Sequence, residues 1–261
     1  MRHGIKYSIN FLKNNNYEKE FPMAVRNNSA VAVRESTAEK TDLRNCSDSS
    51  VKLDKKPLYN AVKRFFDIMC SVLGFIVSSP LFLVFSIMIK AERTGKNVFY
   101  KQKRLGKNGK EIYIYKFRSM VDDADNLERW LNKEQIRQYR TEYKVENDPR
   151  TTAFGSFLRR TGLDEMPQLL NILKGELSLV GPRPIQEEEL KFYGEDKDLL
   201  LSVKPGLTGY WQAYCSKDTT YTNKKRQKME LYYVKNCNLW WDLKICFATA
   251  GAIVRKAQRG Q

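Results

Sequence analysis

Between Phe65 and Ile89 the chain is almost uninterrupted in apolar residues. As a straight helix the run of about 25 positions reaches roughly 37 Å, more than the ~30 Å hydrocarbon core of a bilayer. Ser78-Ser79-Pro80 stands in its middle. Pro80 has no backbone donor and clashes with the preceding turn, while neighbouring hydroxyls can take up freed carbonyls, so the pattern predicts a helix-break-helix with the break at Ser79 and Pro80. Lys55, Lys56, Lys63 and Arg64 precede the run, and Lys90, Arg93, Lys96, Lys101, Lys103 and Arg104 follow it. If basic flanks stay cytoplasmic, both ends want the same side, which a re-entrant segment satisfies and a simple span does not. A span and a soluble core helix stay open as alternatives. Asp67 is expected at the interface, beside Lys63 or Arg64.

Further on the period changes. Val98–Arg104 and Ile112–Phe117 read as strands joined through Gly106, Asn108 and Gly109, and the Asn-Gly pair is a strong hairpin signal. Asp122 through Tyr143 reads as one helix, with Ala124, Leu127, Leu131, Tyr139 and Tyr143 on or near one face. Leu239, Leu243, Cys246, Phe247, Ala250, Ile253 and Val254 recur at helical spacing behind Trp240 and Trp241. That stripe suits either a lipid interface or the protein's own core. Residues 1–56 lack a continuous apolar signal region, and from Asn27 to Lys56 have too little apolar surface to offset ordering entropy. The expected organisation is a polar tail over 1–56, the membrane segment over 57–92, and a soluble domain over 93–261. Its fold class is α+β, mainly helical, with a small antiparallel β-hairpin and amphipathic interfacial helices.

Charge and rare residues narrow the chemistry. A formal net charge of +16 over 261 residues asks for a polyanionic partner or surface: anionic lipid, nucleic acid or a phosphorylated substrate. No zinc finger, aromatic RNA-binding pattern or heptad-linked basic helix supports nucleic acid. Five cysteines at unrelated spacings suggest neither a disulfide framework nor a zinc site. The single histidine, His3, lies in the polar amino terminus, which argues against histidine-based triads and multi-histidine metal sites. Carboxylates are left as the catalytic groups.

The strongest candidates are Asp164 and Glu165, in Thr161-Gly162-Leu163-Asp164-Glu165-Met166-Pro167-Gln168, behind Arg159-Arg160. Read structurally, Thr161 and Asp164 stand at capping-box spacing with Pro167 in the first turn of a helix. A helix amino terminus also favours anions, so capping and phosphate handling are compatible. Phosphoryl transfer needs cationic groups, a divalent cation for a diphosphate, and an oxygen nucleophile, and carboxylate can be that nucleophile. Arg183, between Pro182 and Pro184 after the strand-like Leu177–Val180, has little backbone freedom and suits bidentate phosphate recognition. Lys116, Arg118 and Arg150 are further phosphate candidates.

Taken together these segments resemble the bacterial sugar transferase family, the monotopic polyprenyl-phosphate phosphoglycosyl transferases, over roughly Leu58 to the carboxyl end. The resemblance rests on Lys63-Arg64-Phe65-Phe66-Asp67, Ser79-Pro80, Tyr115–Met120, Asp148-Pro149-Arg150, Leu158–Gln168, Leu177–Pro184 and Lys204–Gln212 in this order. It implies transfer of sugar 1-phosphate from a UDP-sugar to polyprenyl (undecaprenyl) phosphate with release of UMP, at the cytoplasmic face of the bacterial inner membrane, early in polysaccharide assembly. It further implies Asp164 as nucleophile, Glu165 as Mg²⁺ ligand, and Arg183 with Lys116, Arg118, Arg150 and Arg160 as phosphate holders. The chain resembles the short form, without the amino-terminal transmembrane bundle of larger members, and leaves a homo-oligomer open. Gly162 stands where the family commonly has a polar residue, and Tyr214-Cys215-Ser216 where it often reads Ser-Gly-Arg. A non-catalytic basic membrane-surface module is the competing reading.

Overall fold

The computed structural model describes residues 57–92, 97–145, 147–215 and 220–258; the expected tail over 1–56 and the departure at Ser216 lie outside them. The apolar run forms one helix, α1 (Pro57–Ala91), with Pro80 inside it. The expected break does not interrupt it. Pro80 cannot donate to the carbonyl of Ile76, but the Ser79 hydroxyl donates to that oxygen at 2.9 Å, replacing the lost partner. Buried Asp67, Ser71, Ser78, Phe85 and Ile89 follow helical spacing along its length, so one face stays on the protein across the proline. The opposite face is apolar and exposed; Val77, for example, is 76% exposed. Alone among the described helices, α1 is long and apolar enough to cross a membrane.

The hairpin forms as expected. Strands β1 (Phe99–Leu105) and β2 (Glu111–Phe117) pair antiparallel from Phe99 opposite Phe117 to Leu105 opposite Glu111. Asn108 (φ 57°) and Gly109 (φ 72°) supply the left-handed conformations of the turn. The helix expected over Asp122–Tyr143 is instead split into α2 (Leu127–Trp130) and α3 (Lys133–Glu142). Asn126 caps the first, and Asn132 forms a capping box with Gln135 at the second, so two asparagine side chains take the backbone donors that one continuous helix would use.

Next come α4 (Ala153–Thr161), a 3₁₀ turn over Leu163–Gln168, α5 (Leu169–Lys174) and β3 (Ser178–Val180). The chain continues through α6 (Lys197–Leu201), β4 (Gly206–Thr208), α7 (Tyr210–Tyr214), α8 (Lys225–Asn236) and α9 (Leu239–Gln258). β3, within the strand-like Leu177–Val180, pairs in parallel with β4, a pairing the sequence did not predict. Three apolar clusters hold these pieces together. Phe75 of α1 packs on Ile112, Ile114, Leu169, Ile172 and Leu177, and Phe85 and Ile89 join Phe117 and Leu158. The third gathers Ile185, Tyr193, Leu200 and Tyr221. Because α1 contributes to two of these three clusters, it is a wall of the fold and not a detachable anchor.

Polar ties reinforce this. Asp67, expected at an interface beside Lys63 or Arg64, is buried and accepts from the Ser178 hydroxyl at 3.1 Å and the Leu179 amide at 2.9 Å. Burial of a carboxylate is tolerable here because β3 supplies the donors. Arg64 donates to the carbonyls of Ile172 and Leu173 at 2.5 and 2.8 Å, closing the carboxyl end of α5. Lys63 pairs with Asp242 of α9 at 2.6 Å, and Asp242 also accepts from Tyr59 at 2.9 Å and Tyr233 at 2.6 Å. Replacing Asp242 with Ala leaves a shielded ammonium without its partner and should cost about 3 kcal/mol, read as a lower melting midpoint in detergent. A midpoint within error of wild type would mean the clamp contributes nothing. The stripe on α9 points outward: Leu239, Trp240, Leu243 and Phe247 are exposed, while Ile245 and Asp242 face the fold. Of the two expectations for that stripe, the core one fails. The side chains of Ile253 and Val254 lie outside the described residues.

Candidate active site

The site is built on β2 and the turn that packs beside it. Fully buried Asn171 of α5 works as an adaptor, accepting from the Tyr115 amide at 3.1 Å and donating to the Tyr113 carbonyl at 2.7 Å. Its side chain thus completes an edge of β2 as a neighbouring strand would, and sets the distance between β2 and the preceding turn. On that turn, Glu165 meets Lys116 of β2 at 2.9 Å. The capping box expected from Thr161 to Asp164 is absent. Thr161 ends α4, its hydroxyl donating to Phe157 and Leu158 carbonyls, and Gly162 terminates the helix at φ 74°. The glycine that departs from the family's usual polar residue therefore occupies a left-handed position that suits glycine.

A cleft brings together Lys116, Glu165, Gln168, Arg104, Arg183 and Gln212. Glu165 lines it directly, whereas Asp164 is drawn in beside it and is only 7% exposed. Burial, then the charge of Glu165, push the Asp164 carboxyl above the usual aspartate range, against the opposing pull of Lys116 and Arg159. A desolvated carboxylate at the edge of a cationic cleft is a more reactive oxygen than a solvated one.

Arg183 is presented by the chain reversal after β3, where Gly181 donates to the Thr208 carbonyl and Gly206 donates to that of Pro182, both at 2.9 Å. Its guanidinium lies 5.9 Å from the Trp211 ring centre. Trp211 is backed in turn by Arg226, 4.3 Å from the same ring and 4.0 Å from that of Tyr221. Behind them Arg104 pairs with buried Glu189 at 2.8 Å, Tyr221 donates to Glu189 at 2.6 Å, and Arg226 reaches Glu230 at 3.5 Å. This buried network fixes the wall that carries Arg183.

The other predicted phosphate holders are elsewhere. Arg118 donates to the Asn97 carbonyl and pairs with Asp122, each at 2.7 Å. Arg150 makes a two-pronged pair with Asp148 at 2.8 and 2.6 Å and donates to the Ala124 carbonyl at 3.0 Å, organising the loop before α4. Arg160 sits in the last turn of α4 and does not line the cleft. Sequence reasoning missed Arg104, Asn171, Arg226, Glu189 and Glu230 as parts of the site, since no motif signal marks a buried ion pair between residues 85 positions apart.

The bacterial sugar transferase family model matches residues 58–256. The chain belongs to the bacterial sugar transferase family. Among relatives of this sugar transferase, the undecaprenyl-phosphate galactose phosphotransferase of Salmonella typhimurium is 43% identical over 198 residues, 75% of this chain and 41% of that protein. The exopolysaccharide production protein ExoY of Sinorhizobium fredii is 40% identical over 201 residues, 76% of this chain and 88% of that protein. The UDP-glucose:undecaprenyl-phosphate glucose-1-phosphate transferase of Escherichia coli is 36% identical over 197 residues, 72% of this chain and 39% of that protein. The sugar transferase thus spans about two fifths of the length of two of these relatives and most of the third.

Proposed function

We propose that this chain transfers sugar 1-phosphate from a UDP-sugar to polyprenyl phosphate and releases UMP, in two steps through Asp164. The observation that carries the reading is a buried carboxylate held above its ordinary pKa beside Glu165, at a cleft lined by Lys116, Arg104 and Arg183. A basic membrane-surface module has no use for a desolvated carboxylate, and the names of the relatives concern the same lipid phosphate. In the first step an Asp164 oxygen attacks the phosphorus that bears the sugar. The bond from that phosphorus to the UMP oxygen breaks, and UMP leaves with the electron pair. In the second step a polyprenyl phosphate oxygen attacks the same phosphorus, the acyl–phosphate bond breaks, and Asp164 returns as carboxylate. Lys116, Arg104 and Arg183 spread the charge that develops on the phosphoryl oxygens.

A single carboxylate at the cleft, Glu165, fits Mg²⁺ in its usual manner, one or two protein carboxylates with the remaining positions left to water and substrate phosphate; no described cluster holds three potential metal ligands. Glu165, which lines the cleft, would hold the ion, whose chemistry is to neutralise diphosphate charge. We also propose that the exposed face of α1 and the outward stripe of α9 meet lipid, with the cleft opening at the cytoplasmic face to both substrates.

Two experiments test the reading. Detergent-solubilised protein with Mg²⁺, polyprenyl phosphate and a panel of UDP-sugars should release UMP with at least one donor. With acceptor omitted, intact-mass spectra should show a phosphosugar adduct on Asp164; full turnover without an adduct would favour direct transfer. The charge environment gives a further prediction. Lys116 lowers the Asp164 pKa, so removing its charge raises that pKa and leaves less ionised nucleophile at a given pH. Lys116→Met should therefore move the acidic limb of the kcat/KM profile to higher pH. An unmoved limb, or one displaced to lower pH, would contradict the assignment of that limb to Asp164.

A further inference from the structure

The cleft holds a recognition element that phosphate chemistry does not use. Gln212, in α7, donates through Nε2 to the Leu207 carbonyl at 3.2 Å. That bond fixes the amide's orientation and leaves Oε1 as the free end. Oε1 is buried without a hydrogen-bond partner among the described residues, as is Nε of Arg104. Both side chains line the cleft that Lys116, Glu165 and Arg183 share. Gly209 makes room for the arrangement, since a Cβ there would come within 3.1 Å of Oε1.

An amide oxygen accepts and a guanidinium donates, so the two orphaned atoms ask for opposite things. Ionised phosphate oxygens only accept, and serve Arg104 alone. A hydroxyl both donates and accepts and can serve either or both. Lys116, Glu165 and Arg183 share this cleft with Gln212 and Arg104, so it takes the part of a nucleotide sugar around the reacting phosphorus. The hexose is bonded to that phosphorus directly, while the ribose lies one phosphate farther away. We propose, resting on the function inferred above, that Gln212 accepts a hydrogen bond from a hydroxyl of the donor hexose and is a specificity-determining residue. Arg104 Nε is the complementary donor to the same sugar.

Calorimetric titration of a UDP-hexose and its singly deoxygenated hexose analogues into the full-length protein in detergent tests this. Wild type should bind one analogue about tenfold or more weakly than the parent, as sites built around a hydroxyl do. Gln212→Met should lose the same factor for the parent and nothing further for that analogue, while still binding UMP as wild type does. A wild type indifferent to every hexose hydroxyl overturns the proposal, and needs no variant. So does a Gln212→Met loss that persists unchanged for all hexose analogues, or that vanishes only when the ribose hydroxyls are removed. UMP release is followed in parallel: absence of turnover with any donor sinks the transferase reading, while the binding pattern still decides the role of Gln212.

Discussion

Asp164→Asn is expected to abolish sugar-phosphate transfer, by on the order of 10⁴-fold or more, and to leave the protein at least as stable as wild type. The size of the loss follows from removal of a nucleophile, for which the rest of a site cannot compensate. The stability side follows from the carboxyl's surroundings. Its pKa is raised by burial and by Glu165, so the native state binds this proton more tightly than the unfolded chain. That contribution favours folding at low pH and is lost as pH rises through the raised pKa, so at neutral pH the ionised group is carried at a cost. Asparagine is nearly isosteric and uncharged, and relieves the cost. Thermal unfolding and UMP release measured on one preparation check both halves. A variant that loses activity and also melts well below wild type would mean that Asp164 is a structural residue, while retained transfer would move the nucleophile elsewhere.

Gly206→Ala should be nearly as damaging by a different route. Gly206, the first residue of β4, and Gly181, just past the end of β3, pack backbone against backbone, and a Cβ on Gly206 would overlap the Gly181 backbone and the Thr208 carbonyl. Neither is a flexible side chain that can swing away. The strands must part, at about 3 kcal/mol, the upper range of overpacking penalties. Gly181 leads directly into Pro182-Arg183-Pro184, so the displacement is delivered to the Arg183 guanidinium. A shift of about 1 Å at a group that positions substrate can cost about 100-fold in rate. Wild-type stability and rate in this variant would show that Arg183 is not held through the strand pair.

How much of this was legible beforehand divides by range. Local chemistry read well: Asn108-Gly109 turned the hairpin, and the 3.6-residue period announced α9. The nearest failure was also local. Asn126 and Asn132 each cap a helix, and the apolar period over Asp122–Tyr143 hid those signals. Pro80 shows the reverse error, since the helix persists where a break was expected because one serine hydroxyl serves the stranded carbonyl. The parallel pairing of β3 and β4 involves three residues a strand, too few to leave a period.

By itself the sequence determined the family, the candidate carboxylates and the presence of a long apolar helix, because these depend on residue identity and on spacing within single segments. Which cations line the cleft was decided only in three dimensions. Arg150 is consumed by Asp148 and Arg118 by Asp122, whereas Arg104 and Arg183 are brought to the cleft by partners far along the chain. In a chain with 46 lysines and arginines, charge marks too many candidates. Desolvation and pairing select among them, and both are properties of packing.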